Sequence, residues 1–415
     1  MKGRTSKALW VIGSLVALTA GLGPACTKPP IEKVFEQAIG SPSVSTPSVG
    51  KRSVAFGTES GDVYFYSKDG RYLARFAAIK EVVSAPAYDE KMDAFFFGST
   101  SYVFHAVSAL GKPLWRFATR DRIKGDPTID NGVVYFGSYD GHLYALTTEK
   151  RKKKWIFPPR DQAAGATEDT AAEEADAKAK ESGEQTAAAA GTPKEGEPAA
   201  GAPAAEAAEA PKKPAIKPEA FAYSKPFVAD GVVYVGNMDH HLYAVDAETG
   251  ALRWRFKTFG AVTSSPWVHD GIVYFGSNDN HLYAVSISNQ KAVWDKDLGA
   301  WVNGSPVVHD GVLYVGGDSG IFYALDPKTG EERWATKLGG EIKSRPAFVD
   351  NLVFVTVGVG QSGLYALDRD TGKVFWSWSS PDIIESDPSV DGRMVYVTTT
   401  GKKFLGFKVN ATTAK

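Results

Sequence analysis

The side chains with the clearest capacity for chemistry are His142, His241 and His281, each standing just before a Leu-Tyr pair in three successive sequence units. Asp140, Asp239, Asp279 and Asp318 lie at the hairpins that precede the same strands. Imidazoles repeated in this way could form a metal ring, and the carboxylates could bind calcium. The pattern favours a plainer reading. A repeated slot reflects repeated hairpin geometry, and equivalent positions in adjacent units are too far apart to share one ion. No loop carries the several spaced oxygens that calcium needs, whereas a single Asp can cap its own turn. His269 and His309 precede Asp-Gly turns and read as exposed turn neighbours, and His105 and His240 have no evident partner. Gly-x-Ser-x-Gly, phosphate-loop, Cys-x-x-Cys and His-Glu-x-x-His motifs do not occur in a supporting context. We therefore expect no catalytic residue, no metal and no cofactor.

The elements that carry these residues repeat at a forty-residue step. Ser265-Pro266-Trp267 leads to Asp270-Gly271, then Ile272 to Gly276, then His281-Leu282-Tyr283-Ala284 and Trp294. Tryptophans 115, 155, 254, 294, 334 and 376 occupy one place in the unit, and a proline follows twelve residues later, at 127, 266, 306, 346 and 388. From Trp155 to Pro226 the distance is 71, which is twelve plus a 59-residue insertion. Extending the register places Ala74 and Phe35 in the tryptophan slot before Pro86 and Pro47. The Asp-Gly and Asn-Gly pairs at 131, 230, 270, 310 and 391 are hairpin signals. Four short antiparallel strands per unit, repeated radially, predict an all-β, eight-bladed propeller of four-stranded blades. The Phe35 strand at the N-terminus supplies the outermost strand of the eighth blade. The small residues two before each proline (Ser45, Ser84, Gly125, Ser224, Ser264, Gly304, Ser344 and Ser386) read as sites of close strand packing.

The expected domains are a signal at 1–26, one propeller from 27–159 and 219–410, an insertion at 160–218, and a tail at 411–415. The insertion is Ala, Glu, Pro, Gly and Lys with almost no large apolar side chain, and we expect it to be disordered. A balance of 47 basic against 48 acidic residues gives no pull toward nucleic acid. Lys2, Arg4 and Lys7 followed by the apolar Ala8 to Ala20 read as an export signal. Leu22-Gly23-Pro24-Ala25-Cys26 resembles a bacterial lipobox, which makes Cys26 the expected lipid acceptor. Thr27 after it resembles the outer-membrane class of lipoproteins, anchored on the periplasmic side.

Tyr323-Ala324-Leu325-Asp326 with Lys328-Thr329-Gly330 and Trp334, and Tyr365 to Asp368 with Thr371-Gly372 and Trp376, resemble the pyrroloquinoline-quinone-like propeller repeat. The repeat serves quinoprotein enzymes and scaffolds alike. The plan of signal, lipidated cysteine and eight compact blades resembles the BamB family, propeller lipoproteins of the β-barrel assembly machinery. That resemblance implies a non-catalytic scaffold, monomeric within a complex, whose partner is the barrel-forming subunit. The alternatives are a quinone- or metal-dependent periplasmic enzyme and a scaffold for another envelope complex. Arg122, Phe221, Trp301 and Glu341, five residues before their prolines, stand in loops where the repeat imposes no residue type, and are the expected partner contacts.

Overall fold

The computed structural model describes residues 29–159 and 221–410. The signal, Cys26, the whole of the insertion and the tail lie outside the described residues. The 32 strands, numbered β1 to β32 along the chain, form eight four-stranded antiparallel sheets. Blades 1 to 7 take four consecutive strands each, spanning 48–77, 87–118, 128–157, 227–257, 267–297, 307–337 and 347–379. Blade 8 combines β30 (Ser389–Asp391), β31 (Met394–Thr399) and β32 (Lys403–Val409) with β1 (Ile31–Ala38) as its outermost strand. The register runs from Ile31 opposite Val409 to Ala38 opposite Lys403. Chain ends thus close the ring by strand pairing, as the repeat register requires.

The tryptophan slot explains itself across the strand pair. Trp115, Trp155, Trp254, Trp294, Trp334 and Trp376 each lie opposite an alanine of the third strand, namely Ala106, Ala145, Ala244, Ala284, Ala324 and Ala366. Where Ala74 replaces tryptophan its partner is Phe65, so the bulk moves one strand inward and the gap between blades stays filled. Phe35 lies opposite Gly406, against the rings of Phe404 and Tyr396 at 5.2 and 6.2 Å. Hydrophobic clusters form between neighbouring blades: one joins Val233 and Val245 of blade 4 to Tyr135 and Trp155 of blade 3. The core is therefore a ring of inter-blade layers.

Turns from innermost to second strand lie on what we call the lower face, with those from third to outermost strand. The tight turns carry positive φ at both central residues, as at Asp230 (48°) and Gly231 (70°), which suits the twist of a two-residue hairpin. Second-to-third turns and the loops into the next blade form the upper face.

Candidate interaction face and axial ring

The serine slot does more than fit closely. Ser264 Oγ donates to Gly276 O at 2.9 Å and accepts from Gly276 N at 2.7 Å. Ser344 and Ser386 make the same pair of bonds to Thr356 and Thr398. The hydroxyl thus satisfies backbone at the end of the second strand, a role that small size alone does not announce in the sequence.

The next residue of each unit, just before the proline, forms a second ring around the axis: Thr46, Ala85, Asp126, Lys225, Ser265, Ser305, Arg345 and Asp387. Backbone N–H groups donate to the side chain in the following blade: Ala85 to Asp126 (2.7 Å), Lys225 to Ser265 (3.1 Å), Ser265 to Ser305 (3.2 Å), Arg345 to Asp387 (2.9 Å) and Asp387 to Thr46 (2.9 Å). The girdle breaks where the following side chain is Ala85, Lys225 or Arg345, none of which can accept. The four charged members are part-exposed to the channel yet enclosed by protein. Burial pushes the carboxyl of Asp126 up and that of Asp387 up to about 6, and pushes Lys225 and Arg345 down, while opposite charges in the ring partly offset each shift. The Arg345 guanidinium lies 5.7 Å from the Trp267 ring centroid, and the Phe227 ring is 5.1 Å from that of Trp267.

Asp387 has a folded pKa above its unfolded value of about 4, so the folded state holds the proton more tightly. Its stabilising contribution is complete below the unfolded pKa and is lost as pH rises through about 6. We expect Asp387→Asn, which keeps an acceptor for Arg345 N, to be at least as stable as wild type at pH 7.5, and the difference to vanish at pH 4 in urea titrations. Marked destabilisation at pH 7.5 would show that the ionised carboxylate is worth more to Lys225 and Arg345 than its burial costs.

The histidine slot is occupied differently in each blade. Nδ1 of His142 lies 2.9 Å from Pro158 O, that of His241 2.9 Å from Asp239 O, and that of His281 2.9 Å from Asp295 Oδ2. Asp140, Asp239 and Asp279 accept the hydroxyls of Tyr144, Tyr243 and Tyr283, which fastens turn to strand. Asp279 also accepts Phe259 N at 2.8 Å, pinning the next loop. Asp318 departs from this set because it stands one position earlier in its turn, where it accepts from Asn303 Nδ2 at 2.9 Å. Its other oxygen is buried without a partner among the described residues, and burial raises its pKa. Among the described residues no group of three His, Cys, Asp or Glu side chains is placed to hold a metal ion. His309, expected as an exposed turn neighbour, instead stacks on Phe348 with ring centroids 4.0 Å apart, since the next blade's innermost strand brings that ring alongside.

The expected contact residues divide. Arg122, Trp301 and Glu341 sit on the upper face, and their carbonyls accept from Tyr139 N, Asp318 N and Gly358 N at 2.9 Å each, so the loops are held and the side chains are presented. Arg122 lies over the Tyr139 ring at 4.8 Å, Trp301 is 54% exposed, and Glu341 pairs with Lys343 at 2.5 Å beside a shallow cleft reaching Val359 and Glu385. Phe221 does not share this placement: it is 1% exposed, with its ring against Phe157 and Tyr243. It occupies the inter-blade slot that Val82, Ile123, Val262, Val302 and Ile342 fill elsewhere, four residues before their prolines. Blade 4 has one residue more in this loop, which the count from Pro226 could not show.

Exposed apolar groups distinguish the two faces. The upper face carries Ile79 (72%), Phe259 (88%), Trp301, Tyr223, Val359, Tyr102 and Ile383, whereas the lower-face turns expose Leu110 alone among the large hydrophobics described. The remainder lie on outermost strands. Sequence reasoning missed Phe259 and Ile79, because their position seven residues before the proline is occupied elsewhere by residues as unlike as Arg120 and Gly299.

An eight-bladed propeller with hydrogen-bonded axial rings and one apolar face defines a class of radial-repeat scaffolds and enzymes, not an activity. A family profile described as outer membrane protein assembly factor BamB matches residues 59–196, 197–341, 284–361 and 344–415, and the chain belongs to that family. The crystal structure of BamB from Moraxella catarrhalis superposes with a TM-score of 0.67 at 13% identity, covering 91% of this chain and 99% of that one. The computationally designed Ika8 protein gives the same TM-score, identity and coverage. A designed ring matching as well as a natural one shows that this likeness establishes the fold alone. No curated protein matches the sequence.

Proposed function

We propose that this chain is a non-catalytic scaffold that docks a protein partner on its upper face and assists outer-membrane protein assembly from the periplasmic side of the outer membrane. The observation that carries the reading is the concentration of exposed Phe259, Ile79 and Trp301 on that face against a single large apolar side chain on the opposite turns among the described residues. The loops are fixed by backbone bonds before any partner arrives, so little ordering entropy is lost on docking. Arg122, Trp301 and Glu341 are the contact residues of this reading; Phe221, being buried, is a packing residue.

Lipidation of Cys26 fits the same arrangement. β1 starts at Ile31 on the lower face, five residues after Cys26, a reach of about 17 Å when extended. The anchor would hold the lower face toward the membrane and turn the apolar face away from it. The barrel-forming subunit of the assembly machinery is the proposed partner.

The test is affinity recovery of the full-length protein from membranes in mild detergent. We expect the barrel-forming subunit to be recovered, and Phe259→Glu with Trp301→Glu to reduce that recovery at least tenfold without changing the urea midpoint. Reproducible recovery of a different complex would sink the assembly role, and full binding by the double variant would sink the assigned face.

A further inference from the structure

Each blade ends in an outermost strand whose outer edge has no neighbour in its sheet. Such an edge presents unpaired N–H and C=O groups, and charged side chains ordinarily guard it. Here Arg75 guards β5 (Tyr72–Ala77), Arg116 guards β9 (Pro113–Ala118), Lys153 guards β13 (Lys153–Phe157) and Arg253 guards β17 (Leu252–Lys257). Asp295, Arg333 and Lys33 do the same for β21 (Ala292–Asp297), β25 (Glu332–Lys337) and β1. The strand β29 (Val374–Ser379) of blade 7 reads Val-Phe-Trp-Ser-Trp-Ser, with no charge at all.

The lower turn beside this edge differs as well. Trp115, Trp155, Trp294 and Trp334 each donate their indole N–H to a carbonyl in the next blade's lower turn, at Thr148, Ala247, Pro327 and Arg369. The blade after β29 has no such turn, because β32 and β1 come from opposite ends of the chain. Among the described residues Trp376 has no indole acceptor, as Trp254 has none, and no third-to-outermost turn stands beside β29. Val374, Ser377 and Ser379 are exposed.

We propose that the free edge of β29 is a strand-docking site that takes an extended, uncharged segment of a partner polypeptide, alternating apolar with small polar residues, as an exposed edge strand of an unclosed β-barrel does. Main-chain hydrogen bonds supply the attraction, and a charged strand is disfavoured because it would bring its desolvation cost to a neutral edge. Blade 7 also carries Glu341 and Val359 on the upper face, so the edge continues the surface assigned above. The choice of a barrel strand rests on the assembly role proposed for that surface.

The experiment places a photo-crosslinking residue at Ser377 of the full-length protein in membranes, with the same residue at Asp295 of β21 as comparator, and adds a urea-unfolded transmembrane β-barrel chain. We expect at least fivefold more adduct at 377 than at 295. Ser377→Lys with Ser379→Lys, tested with the crosslinker at Val374, should lower adduct fivefold while Ser377→Thr leaves it unchanged. Adduct no greater than at 295, adduct only with a second copy of this chain, or indifference to the lysines would overturn the proposal. Recovery of the upper-face partner by the lysine variant separates the two ideas: if it persists while adduct is absent, the edge proposal fails alone.

Discussion

Gly276→Ala is expected to destabilise the protein by about 3 kcal/mol, lowering the urea midpoint without changing the slope. The reason is space, not backbone freedom. A Cβ at Gly276 would stand 2.2 Å from Val302 O and 2.5 Å from Val302 Cγ1, and Val302 itself is fully buried in the inter-blade layer. Backbone cannot yield as a flexible side chain can. The same approach recurs at Gly57 against Val82, Gly98 against Ile123, Gly236 against Val262 and Gly316 against Ile342. Blades 7 and 8 solve it otherwise, with Thr356 and Thr398 donating to Ser386 O and Ser45 O. If the loop at Val302 can shift as those loops have, Gly276→Ala will cost well under about 1 kcal/mol, and the claim that the glycine is dictated by the loop carbonyl is wrong.

The second large effect is acid lability at His105. This imidazole takes the place that tyrosine holds in most blades, between the rings of Phe76 and Phe97 at 5.3 and 5.4 Å, with Nε2 buried and unpartnered among the described residues. Burial pushes its pKa down to about 3, with Arg116 adding to the effect. The unfolded chain titrates near 6.5, so below that pH it binds the proton that the folded state refuses. The contribution to stability is therefore full above about 6.5 and is lost as pH falls toward 3. Protonation of the unfolded chain alone favours unfolding by about 1.4 kcal/mol for every pH step of one below 6.5, so at pH 4 the loss amounts to about 3 kcal/mol. His105→Phe should match or exceed wild-type stability at pH 7.5 and exceed it by most of that amount at pH 4. Parallel pH profiles for the two proteins would refute the buried, neutral imidazole. Asp387 titrates with the opposite sign, so only the difference between variant and wild type isolates His105.

Much of the ring was legible in the order of residues alone. The tryptophan-to-proline distance, the Asp-Gly turns and the outward register to Phe35 are local signals repeated around the ring, and repetition makes each unit a check on the others. Blade number and closure by β1 follow from that arithmetic. The insertion was legible as a departure from a known step.

What the chain order could not supply is whatever depends on two blades meeting. The slip at Phe221 arose because one added residue in a loop changes which side chain reaches the layer against Gly137, and only the neighbouring blade decides that. The shift at Asp318 has the same origin in a turn of altered phase. The axial girdle joins residues separated by about one full repeat, and its charged members gain meaning from partners across the channel. The asymmetry of the two faces was hidden as well, since a repeat motif describes the residues that must recur, while a docking surface is built from those free to differ. Local periodicity thus determined the element pattern and the number of blades, because hydrogen bonding and alternation act over a few residues. Packing at finite radius decided which variable side chains were buried, which were displayed together, and which edge was left unguarded.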